Sequence, residues 1–324
     1  MRENSDIIIA IENDLNLFKS KLKDYIYKKN GFIKEMTEYV LSQKGKYIRP
    51  IMVYSSARMF GDVNETCNNA AVLLELVHTA TLVHDDVVDE ADLRRGKPSV
   101  NAVWKNKRAI LIGDYLFAKA MKIATEKEEY KLFDIISPTV LNMSIGELIQ
   151  LNSSMENDFS EATYFEIIKN KTASLISTCC KVGAYAAGTN ENNQNIMSEF
   201  GFNAGMAFQI KDDIFDYTIN NKTGKTACND IIERKATLPL IGALKNSSGR
   251  KKENLLQYWK NGKDVEYIKN LACDFVHENG GIEYSENKMN QYYNAAQAKL
   301  EYFPNSNAKT AMRELLNFIV NRNN

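Results

Sequence analysis

At 324 residues the chain can form one large domain or two ordinary ones, and either would bury a substantial core. Its 41 Lys plus Arg balance 41 Asp plus Glu, and with no RNA- or DNA-binding motif present this zero net charge excludes a general nucleic-acid binder. Only five prolines interrupt it and nothing reads as a linker, so a single all-α domain over residues 1–324 is expected.

In chain order, Ile8, Ile11, Leu15, Phe18 and Leu22 recur at helical spacing. Asp6, Glu12 and Asp14 interleave with them, which suits neither a signal nor a transit peptide. No uninterrupted apolar stretch is expected to span a bilayer. Lys44-Gly45-Lys46-Tyr47-Ile48-Arg49-Pro50 then sets two ammonium groups and a guanidinium around a glycine and a chain-stopping proline, a plausible phosphate cradle. A helix over about residues 65–89, with Leu73, Leu76, Val77, Ala80 and Val83 along it, ends on Asp85-Asp86-Val87-Val88-Asp89. Arg94-Arg95-Gly96-Lys97-Pro98 follows after a short spacer. Phe117, Met121 and Phe133 read as core, some of them lining a cavity.

Residues 152–157, 190–195, 218–225 and 246–252 and the Gly280-Gly281 pair read as loops or caps. Lys171-Thr172 and Gln209 precede a second acidic run, Asp212-Asp213-Ile214-Phe215-Asp216, at the end of a helix from about 193 to 217, and Lys225 and Lys235 come after it. Cys67, Cys179, Cys180, Cys228 and Cys273 have no metal-ligand spacing and read as reduced thiols of a cytoplasmic protein.

A lone acidic run is usually a solvated helix face. Two of them in apolar surroundings are not, because repelling carboxylates in an apolar wall need a counter-ion. Within each run the first and fifth positions share a helix face, about 6 Å apart along the axis. Such carboxylates suit Mg²⁺, which is commonly shared between a few protein oxygens and the phosphates of a substrate, so a diphosphate is the expected ligand. The basic segments supply the remaining countercharge.

These motifs stand in the order in which trans-prenyl diphosphate synthases carry them, and from about Lys44 to Pro239 the chain resembles that family. The residues are Gly45-Lys46-Tyr47-Ile48-Arg49-Pro50, His78, Asp85 to Asp89, Arg94-Arg95, Lys171-Thr172, Phe208-Gln209, Asp212 to Asp216, Gly224-Lys225 and Lys235. The resemblance implies an all-α bundle around a central cavity that forms a homodimer. It implies catalytic roles for Asp85, Asp86, Asp89, Asp212, Asp213, Asp216 and Lys171, with two or three Mg²⁺ held by Asp85, Asp89, Asp212 and Asp216. An allylic diphosphate would be bound by Arg94, Lys171, Thr172, Gln209, Lys225 and Lys235. Isopentenyl diphosphate would be bound without metal by Lys46, Arg49, His78 and Arg95. Two departures are Lys44, where the family often has a second glycine, and Cys228 to Arg234, which replaces a Gly-rich acidic segment.

The implied reaction ionises the allylic diphosphate, lets the double bond of isopentenyl diphosphate attack the cation, and loses a proton, with no side-chain nucleophile. His84 reads as structural. Ala80 and Thr81 lie five and four residues before Asp85, where short-chain members carry an aromatic, so the tunnel stays open and a long, about octaprenyl, product for a quinone side chain is expected. Phe117, Met121 and Ile123 are candidates for its floor. Transient membrane contact would serve product release. The alternatives are a short-chain farnesyl or geranylgeranyl diphosphate synthase and a non-catalytic subunit of a heteromeric synthase. An intact second Asp cluster argues against the subunit reading and against a terpene cyclase.

Overall fold

Helix follows helix through the computed structural model, which describes residues 5–26, 31–43, 45–218, 228–262 and 264–321. In chain order these are α1 (Ser5–Ile26), α2 (Phe32–Ser42), α3 (Ile48–Arg58), α4 (Glu65–Val88), the strands β1 (Leu93–Arg94) and β2 (Lys97–Pro98), α5 (Val100–Trp104), α6 (Asn106–Glu126), α7 (Tyr130–Glu156) and α8 (Glu161–Ile168). A π-helical segment, Lys169–Ala173, leads into α9 (Ser174–Ala186), α10 (Glu191–Asp216), α11 (Asn229–Ile232), α12 (Leu238–Asn246), α13 (Arg250–Asn261), α14 (Val265–Glu278), α15 (Gly281–Glu301) and α16 (Asn307–Asn321). Their contacts group into two units, residues 1–140 with 178–198 and 304–312, and residues 141–177 with 199–303 and 313–324.

In the first unit α4 is buried on nearly every side, through Ala71, Val72, Leu73, Leu74, Leu76, Val77 and Ala80, as a helix apolar all round must be. Asn64 starts it by accepting the amide of Cys67 at 2.9 Å. The stripe Ala109, Ile112, Leu116, Ala120 and Ile123 of α6 is buried in the same unit. Tyr54 donates to Asn68 at 3.0 Å and Ser56 to the carbonyl of Cys180 at 2.6 Å, so the buried hydroxyls of α3 are satisfied. The Arg94 to Pro98 segment closes as a two-residue antiparallel ladder, too short to show alternation in sequence.

The core of the second unit collects Tyr217, Ile231, Leu240, Leu255, Trp259, Ile268 and Phe275. Cys228 and Cys273, 45 residues apart, meet there in a disulfide, which corrects the expectation that all five cysteines are reduced. Packing of α11 on α14 brings the pair together; Cys67, Cys179 and Cys180 are free and buried.

Three further expectations change. Residues 152–156 belong to α7, and residues 191–195 open α10 behind Asn190, whose side chain accepts the amide of Asn193. Residues 219–225 lie outside the described residues. Helix α7 is long and apolar enough to cross a membrane by length and composition, contrary to the expectation, and only 28% of that window is buried. Phe133 and Met121 are exposed rather than core, Met121 because it lies off the buried stripe of α6.

Candidate active site

The carboxylates of the first motif occupy the last turn of α4 and the residue that caps it. Asp86 turns inward and is 1% exposed, whereas Asp85 and Asp89 are half-buried. Arg94 reaches back eight residues to Asp86, its Nε donating to Oδ1 at 2.7 Å and its Nη2 to the same oxygen. Burial pushes the Asp86 carboxyl up, and the bond and charge of Arg94 oppose that shift. His84 contacts the carbonyl of Ile110 at 3.1 Å, lies 3.4 Å from Asp114 and stacks on Phe117, which fits the structural role expected of it.

The hairpin β1–β2 is pinned to the end of α2. Arg95 donates to the carbonyl of Gln43 at 2.7 Å and Lys97 to that of Ser42 at 3.1 Å, two cations on the carbonyls where a helix dipole is negative. Gly45 lies directly against the Arg95 guanidinium, which a Cβ would meet at 2.6 Å, so the glycine of the cradle is a requirement of close approach. Tyr47 then turns the chain into α3 in the left-handed region, φ 50°.

Gly45, Tyr47, Glu75, Asp86, Arg94 and Arg95 line one cavity of about 30 Å³, space for a water. Lys46 is exposed and Arg49 half-buried at the start of α3. His78 is buried on α4, held well below its ordinary value by burial and then by Arg49, Arg95 and Arg94. It is therefore a neutral hydrogen-bonding group in the free protein rather than a cation.

In the second motif the pattern repeats. Asp213 is 5% exposed, while Asp212 and Asp216 are half-buried. Tyr164 donates to Asp213 Oδ2 at 2.6 Å and Gln209 to its Oδ1 at 2.8 Å, and Thr172 donates to Gln209 at 2.7 Å. Burial pushes the Asp213 carboxyl up to about 7, opposed by the hydrogen bonds from Tyr164 and Gln209 and reinforced by Asp212 and Asp216. The two oxygens of Asp216 accept the amides of Asn229 and Asp230, each at 3.0 Å. Asp216 thus fixes the start of α11.

Lys171 sits in the π segment, ion-paired to Glu147 and 3.5 Å from Gln150 Oε1. Gly205 of α10 allows the approach to that segment, since a Cβ would meet Cα of Ala173 at 2.7 Å. A cavity of about 170 Å³ is lined by Lys171, Thr172, Gln209, Asp213, Asp230 and Lys235, among others. It gathers four of the six residues expected around an allylic diphosphate. Arg94 belongs to the first unit, and Lys225 lies outside the described residues. Lys235 pairs with Glu233 at 2.6 Å. Tyr164, Glu147, Gln150, Asp230 and Glu75 did not stand out in the sequence; a lone buried carboxylate or tyrosine carries no local pattern.

The family model for polyprenyl synthetase matches residues 30–274. The chain belongs to the polyprenyl synthetase family. It is 32% identical to heptaprenyl diphosphate synthase component 2 of Bacillus subtilis, covering 96% of this chain and 89% of that protein. It is also 32% identical to the all-trans-nonaprenyl-diphosphate synthase of Rhodobacter capsulatus, over 98% and 97% of the two chains. A polyprenyl synthase of Caulobacter crescentus, solved with calcium and isoprenyl diphosphate, superposes with a TM-score of 0.91 at 32% identity, covering 99% of this chain and 98% of that one. Octaprenyl and geranylgeranyl diphosphate synthases match at 30% and 32% identity. This polyprenyl synthetase is thus an all-α trans-prenyl diphosphate synthase, and its relatives span several product lengths.

Proposed function

We propose that this enzyme extends an allylic diphosphate with isopentenyl diphosphate, using Mg²⁺, to an all-trans product of about eight isoprene units. The observation that carries the site assignment is the shared build of the two motifs. In each the middle Asp is buried and hydrogen-bonded, and the first and fifth positions carry half-buried carboxylates. The donor set is hard oxygen, as Mg²⁺ requires.

Asp85 and Asp89 with Asp212, supported by Asp216, would hold two or three Mg²⁺. Bound there, the metal would neutralise charge developing on the leaving diphosphate. Lys171, Thr172, Gln209 and Lys235, with Arg94 and Lys225, would bind that diphosphate. Lys46, Arg49 and Arg95 would hold the second diphosphate by charge alone, with neutral His78 as a hydrogen-bonding neighbour.

Ala80, wholly buried, and Thr81 offer no bulk beneath the first motif, which supports a long product. Ile123 is buried and Phe117 half-buried, so these two remain candidates for the floor, while exposed Met121 does not line the interior of the chain. Ala80→Phe is expected to shorten the product to about three or four units with the first condensation still fast; an unchanged product would place the tunnel elsewhere.

The family match spans both units, which supports one functional domain. The stripe Leu141, Ile145, Leu148 and Met155, exposed on α7, supports a homodimer. A second reading draws on the relatives named component 2: this chain could be a catalytic subunit that needs another polypeptide. The purified chain, incubated with isopentenyl diphosphate, farnesyl diphosphate and Mg²⁺ and its products sized, tests all of this at once. Octaprenyl-length material from the chain alone supports the proposal. A C15 or C20 end product favours the short-chain reading, and inactivity relieved by a cell extract favours the heteromeric one. The proposal includes a cytoplasmic location, a membrane-directed product and a quinone side chain as its destination; fractionation and lipid analysis of a depleted strain test those parts.

A further inference from the structure

Helix α11 ends in a turn that the chain makes without glycine. Arg234 sits in the left-handed region, φ 59°, with its amide donating to the carbonyl of Ile231 at 3.1 Å, and the next amide, that of Lys235, donates to the carbonyl of Asp230 at 2.8 Å. These two bonds form a helix-ending motif whose left-handed position is usually glycine, because a Cβ there crowds the backbone. An arginine in that position persists only if its surroundings hold it there. They do: the guanidinium donates to the carbonyl of Trp259 on α13 and lies 5.5 Å from the centre of the Trp259 ring. Gly262, which caps α13, leaves it room, since a Cβ there would meet Nη2 at 2.7 Å.

Trp259 is 1% exposed and belongs to the core of the second unit, so the clamp ties the turn to packed interior rather than to surface. The residue that the turn delivers is Lys235, which lines the cavity of about 170 Å³ together with Lys171, Thr172 and Gln209. We infer that Arg234 is a positioning residue of the reaction: by clamping the end of α11 to α13 it holds Lys235 at the allylic diphosphate. The inference rests on the assignment of Lys235 to that diphosphate. A lysine ammonium is a point charge on a flexible four-carbon stem, so where its backbone starts decides how often the charge is in place. The clamp lies in the segment from Cys228 to Arg234 where the chain departs from its family's Gly-rich pattern, and it replaces a residue suited to the turn by one that also anchors it.

Two variants of the full-length protein separate positioning from stability. Arg234→Gly removes the clamp together with the left-handed cost, whereas Arg234→Ala removes the clamp and keeps the cost, so the Gly variant should melt higher than the Ala variant. Both should nevertheless raise the KM for farnesyl diphosphate by the same factor, about tenfold, the low end of what a charge-assisted hydrogen bond contributes, and leave the KM for isopentenyl diphosphate near the parent's. Lys235→Ala should raise the same KM, and in that background Arg234→Gly should add nothing further, because Arg234 acts through Lys235. Additive effects, a parent-like KM in both Arg234 variants, equal rises for the two substrates, or a KM that merely tracks the thermal midpoint would overturn the inference. If Lys235→Ala itself leaves the KM for farnesyl diphosphate unchanged, the assignment of Lys235 fails first and takes the inference with it.

Discussion

Asp85 and Asp86 are neighbours with opposite duties, and the difference can be measured. Asp86 is buried and bonded to Arg94, so Asp86→Ala leaves a half-buried guanidinium without its acceptor and should cost about 1–3 kcal/mol of stability. Asp85→Ala should leave the thermal midpoint nearly unchanged while removing most turnover, as should Asp212→Ala. Near-normal turnover in Asp85→Ala would defeat the metal assignment. Asp213 gives a pH prediction. Its folded-state carboxyl, pushed up to about 7 from 3.8, still holds its proton where the unfolded chain has lost it. Its contribution to stability is therefore fully present below about 4 and is lost as pH rises through about 7. The metal-free protein should melt higher at pH 5 than at pH 8, and Asp213→Asn should flatten that slope; identical slopes would show that Asp213 ionises freely. The aspartates were legible in sequence as residue types at fixed spacing, but which of them turn inward depends on Arg94, Tyr164 and Gln209.

At the scale of elements, helix limits were legible wherever a long apolar period met a cap. The helix expected over 65–89 runs from Glu65 to Val88, and that expected over 193–217 runs from Glu191 to Asp216. The hairpin at Leu93–Pro98 was not, because four paired residues are held by the end of α2 rather than by alternation. Nor was the approach of α11 to α14, which depends on contacts across 45 residues. The disulfide there ties down the element whose first two amides hold Asp216. Cys273→Ser should cost about 2–4 kcal/mol under oxidising conditions, with a smaller loss when the parent is already reduced. Thiol counting after denaturation checks the premise: three reactive thiols for the disulfide form, five if the pair is open.

For the whole molecule, family membership was readable because the motifs are local and ordered, whereas product length and assembly depend on surfaces no short motif encodes. The apolar face of α7 is one such surface. Leu148 is 66% exposed, so Leu148→Lys costs the isolated chain little. In a homodimer that buries this face, the same change should drive the protein toward monomer in sedimentation velocity at micromolar concentration. A parent that is already monomeric, or a variant that stays dimeric, would remove α7 from the interface.

The π segment at Lys169–Ala173 has a consequence for how this site can vary. A widened turn puts the helix out of phase: every side chain beyond it is rotated by roughly 100° from where an unbroken α-helix of the same number of residues would place it. Lys171 and Thr172 owe their shared cavity to that phase, and α9 beyond it keeps the rotation. Loss of Lys169, Asn170 or Ala173 would let the turn relax to ordinary pitch with α9 still in phase, whereas straightening the turn at full residue count would re-aim α9. In this helix the count of residues carries chemical information as surely as their identity.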